Sequence, residues 1–401
     1  MKGIFRILIL TVLFNACIQT EEQSLVPVFH INPESAEPGK FSDYFDKLTY
    51  LKLELDSENP IGNINNLEAR EDAYYIFDSR SNKVFKYGLG GELLMIIDKQ
   101  GKGPGEYQRI SSISINEDDH EVIISDKMGM AIRYYSSDDG TFIRKMDMDY
   151  IPLAITYIGK GKIAAHLNFV PHQLEIESAN PHNLIYFRSP DKPVSKFLPF
   201  DPSLRHPFYG GKMFTNTDKG TFFMPPFYHQ VFLLDESACE PFLELDFGKY
   251  NFRYDIFGEA STSSEQLDRM YKSHLVFTKT GFAEMNDYYF FQYGWKGIIY
   301  FAFLNKSTQE AHVHKKFTND INGFSVGFLK ESGNNKLLFA IDSHDLVSRR
   351  NHFLNISKDS SKSQAEQESA QRYCDRMDSI IGPLTENDNP VIGIYEMKTG
   401  T

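Results

Sequence analysis

The chain has 401 residues, of which 41% are hydrophobic, 14% aromatic and 24% charged, a globular composition rather than a disordered one. Its formal net charge of −12 comes without a clustered stripe of Lys and Arg, which argues against nucleic acid as a partner, since phosphate binding needs such a stripe. Phe (33) and Tyr (22) are abundant while long amphipathic helical patterns are scarce, so the composition points to an all-β protein.

Residues 1–16 read as a signal peptide. Lys2 and Arg6 flank the start of an apolar run, Ile7 to Phe14, that is too short to span a bilayer. The run ends in Phe14-Asn15-Ala16-Cys17, which resembles a bacterial lipobox, with Phe14 where Leu is usual. Cleavage there would leave Cys17 as a lipidated N-terminus and tie the mature chain to a membrane. The acidic stretch Ile18-Gln19-Thr20-Glu21-Glu22 resembles the export signal of surface lipoproteins, and it suits a solvated tether equally well. The expected location is therefore outside the cytoplasm, lipid-anchored to the outer membrane, with cell-surface exposure if the acidic stretch acts as a signal. Residues 17–40 carry Pro27, Pro33 and Pro38 and read as a tether with one short strand, Val26 to Ile31. Residues 41–401 are expected to form a single domain.

Leu48 to Leu55 alternates cleanly and reads as a strand. Tyr74 to Asp78, Lys83 to Tyr87 and Leu93 to Ile97 then form a meander of short strands joined by tight turns. Val122 to Asp126, Ala131 to Tyr135 and Phe142 to Met146 repeat it 48 residues on, with an apolar residue six places and a tyrosine nine places after each aspartate. A fixed period of this size marks stacked or radial repeats. Ile64 to Leu67 and Ile110 to Ile115 supply an inner strand to each, and four antiparallel strands per repeat make a propeller blade.

A degenerate copy begins at Phe222-Phe223-Met224-Pro225, nearly two periods beyond Asp126, so residues 152–198 hold a blade between. Its strands read as Ile163 to Leu167, Leu184 to Phe187 and Lys196 to Leu198. Tyr288 to Tyr293, Ile298 to Phe303 and Ala311 to Lys315 make a fifth blade. Phe324 to Phe328, Lys336 to Ile341 and the tail Asn389 to Tyr395 make a sixth. Residues 261–274 and 363–381 break the β pattern and read as small helical insertions. The expected fold is a six-bladed β-propeller of four-stranded antiparallel blades, with Leu48 to Leu55 completing the C-terminal blade and closing the ring.

Between the two aspartate-bearing blades runs Gly101-Lys102-Gly103-Pro104-Gly105-Glu106-Tyr107, and near the C-terminus stands Glu386-Asn387-Asp388-Asn389-Pro390-Val391. These segments resemble the six-bladed β-propeller lipoproteins of Bacteroidota, relatives of NHL-type propellers that form a domain family of unknown function. The resemblance covers essentially the whole mature chain. It implies a propeller, an envelope location and membrane anchoring, and it brings no catalytic residues.

Four sets of residues are candidates for a site. Lys102, Gly103, Pro104, Gly105, Glu106 and Tyr107 form either a ligand loop or a rigid inter-blade turn with Glu106 capping backbone N–H groups. Asp78 and Asp126 either ring a channel-mouth cation or bond the N–H groups of their own turns. Tyr293 and Trp295 either stack on a sugar or fill the core. His312 and His314 share one side of a strand, as a zinc pair or as partly exposed histidines. Cys239 and Cys374 lack metal or redox spacing, and the chain has neither a nucleophile elbow nor a phosphate loop. No cofactor is expected, apart from the cation considered at the channel mouth. The reading is a non-catalytic binding propeller in the cell envelope, acting on a protein partner or sensing a glycan. The alternative is a metal-dependent hydrolase or lyase at the channel mouth.

Overall fold

The computed structural model describes residues 26–169, 181–189, 192–201, 211–258, 260 and 262–398. The signal peptide and Cys17 lie outside the described residues. Three strands come first: β1 (Val28–His30), β2 (Glu37–Lys40) and β3 (Phe45–Lys52). Sheet 1 follows as β4 (Ile64–Ala69), β5 (Ala73–Asp78), β6 (Lys83–Gly88) and β7 (Leu93–Ile97). Sheet 2 holds β8 (Ile110–Asn116), β9 (Glu121–Asp126), β10 (Ala131–Ser136) and β11 (Phe142–Asp147). Sheet 3 holds β12 (Ala154–Tyr157), β13 (Ile163–His166), β14 (His182–Ser189) and β15 (Lys192–Pro199). Sheet 4 holds β16 (Phe214–Thr217), β17 (Gly220–Phe223), β18 (Gln230–Leu234) and β19 (Cys239–Asp246). Sheet 5 holds β20 (Thr278–Glu284), β21 (Tyr288–Trp295), β22 (Ile298–Asn305) and β23 (Ala311–Thr318). Sheet 6 combines β24 (Phe328–Gly333), β25 (Lys336–Ile341) and β26 (Val391–Met397) with the early strand β3.

Each sheet is covered on both faces, which is why runs such as Tyr74-Tyr75-Ile76-Phe77 are apolar throughout rather than alternating. Tyr75 and Phe77 pack against Ile113, Val122 and Ile124 of sheet 2. Ile76 and Phe85 face the other way, onto Leu338 and Ile392 of sheet 6. Sheets 2 and 3 meet through Ile132 and Ile185, and sheets 3 and 4 through Tyr186 and Phe223. Sheets 4 and 5 meet through Val231 and Phe291, and sheets 5 and 6 through Phe303 and Phe339. The cores thus follow one another around a β-propeller whose last sheet packs on its first.

Residues 26–40 hold the expected short strand as β1 and add a second, β2, so this part of the tether read over residues 17–40 is built into the sheets, while residues 17–25 lie outside the described residues. β1 adds to sheet 4 in parallel with β19, and β2 adds to sheet 5 in parallel with β23. Then β3 completes sheet 6, with Leu48 opposite Tyr395 and Lys52 opposite Val391. Residues 28–52 therefore form a strap along the outer strands of three successive sheets. Phe29, Ile31, Phe41 and Phe45 are buried beneath it, which supplies the apolar burial a tether lacks. Gly39 sits where a Cβ would come within 2.5 Å of the His314 ring, so the strap passes close only because that residue is glycine.

Helix α1 (Phe41–Tyr44) is a single turn in the strap, and α2 (Ser263–Ser273) is capped by a reciprocal Thr262–Glu265 box. Helices α3 (Ser343–Lys358) and α4 (Gln364–Ile380) form a hairpin between β25 and β26. The sequence reading omitted α3, because its buried residues, Ser343, Leu346 and Val347, cluster at its start and leave no apolar stripe. Likewise β24 begins at Phe328, where the expected strand 324–328 ends.

Lys279 stands out in β20. It is 2% exposed, opposite Tyr293 in register, and no carboxylate pairs with it among the described residues. Burial lowers its pKa from 10.5 to about 7. The unfolded chain keeps this proton up to a higher pH than the folded chain, so the folded state gains stability as pH rises between the two values. Lys279→Met is therefore expected to be more stable than wild type at pH 7. The gap should narrow by up to roughly 1.4 kcal/mol per pH unit towards pH 9. Urea denaturation of both proteins at several pH values checks this, and parallel curves would contradict it.

Candidate functional site

The innermost strands converge on the ring axis, and four of them are irregular. In β4, Ile64 faces Asp78 and Asn66 faces Phe77, which leaves Asn65 as an extra residue. In β8 the extra residue is Ser111, between the pairs Ile110–Asp126 and Ser112–Ser125. In β24 it is Lys330, between Leu329–Phe339 and Glu331–Leu338. β20 slips in the same way between Thr280 and Ala283. A bulge re-aims the side chain of its extra residue. Asn65, Ser111 and Lys330 all line one cavity of about 1010 Å³.

Residues from the inner strands of five sheets contribute to this cavity, β4, β8, β12, β16 and β24. Its rim includes the β9–β10 turn, with Lys127 and Met128, and the segment before β12, with Tyr150 and Ile151. Met128 is 67% exposed and Ile151 37% exposed, so apolar surface meets solvent at the mouth. Arg109 and Lys127 add positive charge there.

A buried ion cluster lies at the opposite end. Lys212 Nζ is 2.5 Å from Glu331 Oε2 and 3.7 Å from Glu68 Oε1. Arg70 pairs with the other oxygen of Glu68 at 2.9 Å. Glu68 and Glu331 come from sheets 1 and 6 and Lys212 from the segment that leads into β16 of sheet 4, so their charges join three parts of the ring. Burial raises the Glu331 carboxyl, and Lys212 partly offsets this. Lys330 lies next in sequence and has no such partner among the described residues, and burial lowers its pKa.

The candidates read from the sequence sit elsewhere. None of residues 101–107 lines the cavity. The loop fastens sheet 1 to sheet 2: Glu106 Oε2 accepts from Gly103 N at 2.7 Å, and Tyr135 Oη donates to the Gly105 carbonyl at 3.1 Å. Gly105 has φ 77° and lies against the Phe142 ring, where a Cβ would come within 2.9 Å. Tyr107 is fully buried, its hydroxyl 2.9 Å from the carbonyls of Asn82 and Ile97. Lys102 is exposed.

Asp78 and Asp126 are buried rather than displayed at a mouth. Asp78 accepts from the backbone N–H groups of Gly62, Asn63, Arg80 and Ser81 and from the Ser81 hydroxyl. Asp126 accepts from Gln108, Arg109 and Gly129 N–H groups and from Arg133 Nε. A carboxylate offers about four lone-pair positions, and these donors occupy them. Each aspartate pins the start of an inner strand to the next hairpin turn, which explains its recurrence at the repeat period.

Tyr293 stacks on Tyr300 with ring centroids 5.1 Å apart, inside the core between sheets 4 and 5. Trp295 donates from Nε1 to the His274 carbonyl at 2.7 Å and is also buried. Neither ring presents a face for a sugar. His314 contacts Tyr44 Oη through Nε2 at 2.7 Å, against the strap. Cys239 and Cys374 are free thiols. Among the described residues no group of three or more His, Cys, Asp or Glu side chains is placed to hold a metal ion.

Residues 26–396 match the family described as a domain of unknown function, DUF4934. The chain belongs to this family. No curated protein sequence matches it. Among solved structures, this DUF4934 chain is similar to BF0058 of Bacteroides fragilis, described as an exported protein. The two share 15% identity with a TM-score of 0.71, over 93% of this chain and 99% of that one. It is also similar to a DUF4221 member from Bacteroides vulgatus, at 10% identity and a TM-score of 0.47, over 89% and 98% of the two chains. For BamB of Moraxella catarrhalis the values are 13% and 0.38, over 74% and 72%. The first likeness shows a shared fold.

The sequence reading of this DUF4934 chain missed the cavity residues Arg109, Lys127, Lys212 and Lys330. Only one signal was available, a Lys-Glu pair directly after Phe328-Leu329 in a strand otherwise destined for the axis. For the aspartates, burial raises the Asp78 carboxyl, and its N–H and hydroxyl donors outweigh this and hold it below the usual range. Asp78→Ala leaves those donors unpaired and should cost on the order of 3 kcal/mol at pH 7. The cost should shrink only as pH falls below the unfolded aspartate value of 3.8 and on through the lowered value of the folded state, where the wild-type side chain takes up its proton and loses the same bonds. Urea denaturation at pH 7 and at a series of pH values below 3.8 tests both statements.

Proposed function

We propose that this chain is an exported, lipid-anchored, six-bladed propeller that captures a small ligand at its channel mouth and does not transform it. The observation that carries the reading is the set of three inner-strand bulges that direct Asn65, Ser111 and Lys330 into one cavity of about 1010 Å³. Cavities of this kind, largely apolar with a few convergent polar groups, are the usual form of a small-molecule site. The hairpin at 127–130 and the segment 149–153 supply a rim on which a protein partner could read the occupied state, which fits a sensing module. Anchoring through Cys17 rests on the lipobox-like segment Phe14 to Cys17 alone, and the description of BF0058 as an exported protein is consistent with export, not with a lipid in particular.

The alternative, a metal-dependent hydrolase or lyase, needs several acidic or histidine side chains converging at the mouth. Among the described residues the acidic side chains lining the cavity are Glu68, already held by Arg70, and Asp149. That pattern supports capture over turnover.

Thermal-shift screening of the mature chain against small molecules and glycan fragments tests the cavity. Hits should lose their effect in a Met128→Glu/Ile151→Glu variant and should be recovered unchanged after incubation. Stabilisation that survives the rim variant, or chemical conversion of the hit, would sink the reading. Anchoring is tested separately: Cys17→Ala should abolish fatty-acid labelling and release the protein from the membrane fraction, and continued labelling would disprove the lipid at Cys17.

A further inference from the structure

We propose that the ligand is a small organic anion with an apolar body, its anionic group seated on Lys330. This rests on capture at the cavity, and it names the chemical class. The charge balance around the cavity supplies the argument. Its cationic lining residues are Arg109, Lys127, Lys212 and Lys330, and its acidic ones are Glu68 and Asp149. Lys212 is compensated by Glu331 and Glu68, and Glu68 by Arg70 as well. Lys330 is half-buried by its bulge and makes no ion pair among the described residues. Arg109 spends one guanidinium N–H on the Ser79 carbonyl at 3.2 Å and likewise meets no carboxylate.

Among the described residues, Arg109, Lys127 and Lys330 thus line the cavity without an ion pair, in a chain whose formal net charge is −12. A half-buried ammonium without a counter-charge is costly, and an anion entering the cavity removes that cost. A neutral sugar would not. The remaining walls select the body of the ligand. Phe77, Met128, Met130, Tyr150, Ile151 and Phe214 line the same space, and methionine surfaces adapt to varied apolar shapes. The volume is that of a small-molecule site. A carboxylate, sulfonate or phosphate head on Lys330, with its apolar body running outwards to Met128 and Ile151, satisfies both halves of the lining.

Isothermal titration calorimetry with the mature chain tests this, using decanoate, decanamide and glucuronate as probes. Decanoate should bind at least ten-fold more tightly than decanamide, and glucuronate more weakly than decanoate. Lys330→Gln should weaken decanoate at least ten-fold and leave decanamide unchanged, while Lys330→Arg retains decanoate binding. Lys330→Gln should melt at or above the wild-type temperature and Lys330→Arg close to it, which separates loss of the site from loss of the fold. Equal affinity for decanoate and decanamide would overturn the proposal, as would indifference to Lys330→Gln. Binding of glucuronate without decanoate would overturn the apolar body. Capture itself fails separately: it falls if hits from the screen survive the Met128→Glu/Ile151→Glu rim variant, whatever their charge.

Discussion

The pairing of β3 with β26 is the constraint on which the rest of the molecule depends. Seven register pairs, from Phe45–Met397 to Lys52–Val391, bring residues some 340 positions apart in sequence into one sheet. Without β3, sheet 6 would lack its outermost strand, and the ring would have nothing to tie its last sheet to its beginning. The core between sheets 6 and 1, with Leu51 and Leu53 against Ile76 and Phe85, exists only because this strand crosses back. Every inner strand is held at a fixed distance from the axis by that closure, and the cavity follows from it.

Inside the closed ring the same backbone serves two purposes. The buried aspartates fasten the start of each of the first two inner strands to the following turn, so those strands cannot slide. A strand held at its start and paired along its length can accommodate an extra residue only as a bulge. The extra side chain then points where a regular strand would not send it. In this way architecture and site share their causes: Asp78 and Asp126 face the frame, while Asn65 and Ser111, on the strands they secure, face the cavity. The ion cluster of Glu68, Lys212 and Glu331 ties sheets 1 and 6 to the segment that leads into β16 below.

Much of the frame was legible in the sequence, because a repeat writes its period into spacing. The aspartate-to-tyrosine intervals, the turn glycines and the early strand at Leu48 each carried local information. The segment at 101–107 was legible as a junction for the same reason, since Pro104 and Gly105 restrict backbone shape irrespective of neighbours. The site was not legible, because a bulge is a register shift between two strands and leaves no mark in either alone. Lys330 looks from sequence like a solvated lysine, and only its slip against Leu338 and Phe339 turns it inwards. The strap was hidden by Pro27, Pro33 and Pro38, which suggest an extended linker. Parallel addition at a sheet edge tolerates such residues, since only one side of the strand needs donors. Tyr293 and Trp295 could not be assigned from sequence because an aromatic in a strand is equally suited to a core and to a ligand face, and burial alone decides.

The strap has a mechanical consequence. Val28 lies eleven residues beyond Cys17, so a lipid at that cysteine would hold the outer edge of sheet 4 within about 40 Å of the bilayer. Tension on such a tether enters along β1, whose bonds to β19 lie across the pull and resist it together in shear. It passes next to β2 on sheet 5 and reaches the closing strand β3 only after both have given way. The load path stays on the outer rim, while the bulged strands sit at the axis. A tethered molecule could therefore be tugged by its membrane without disturbing the shape of its cavity.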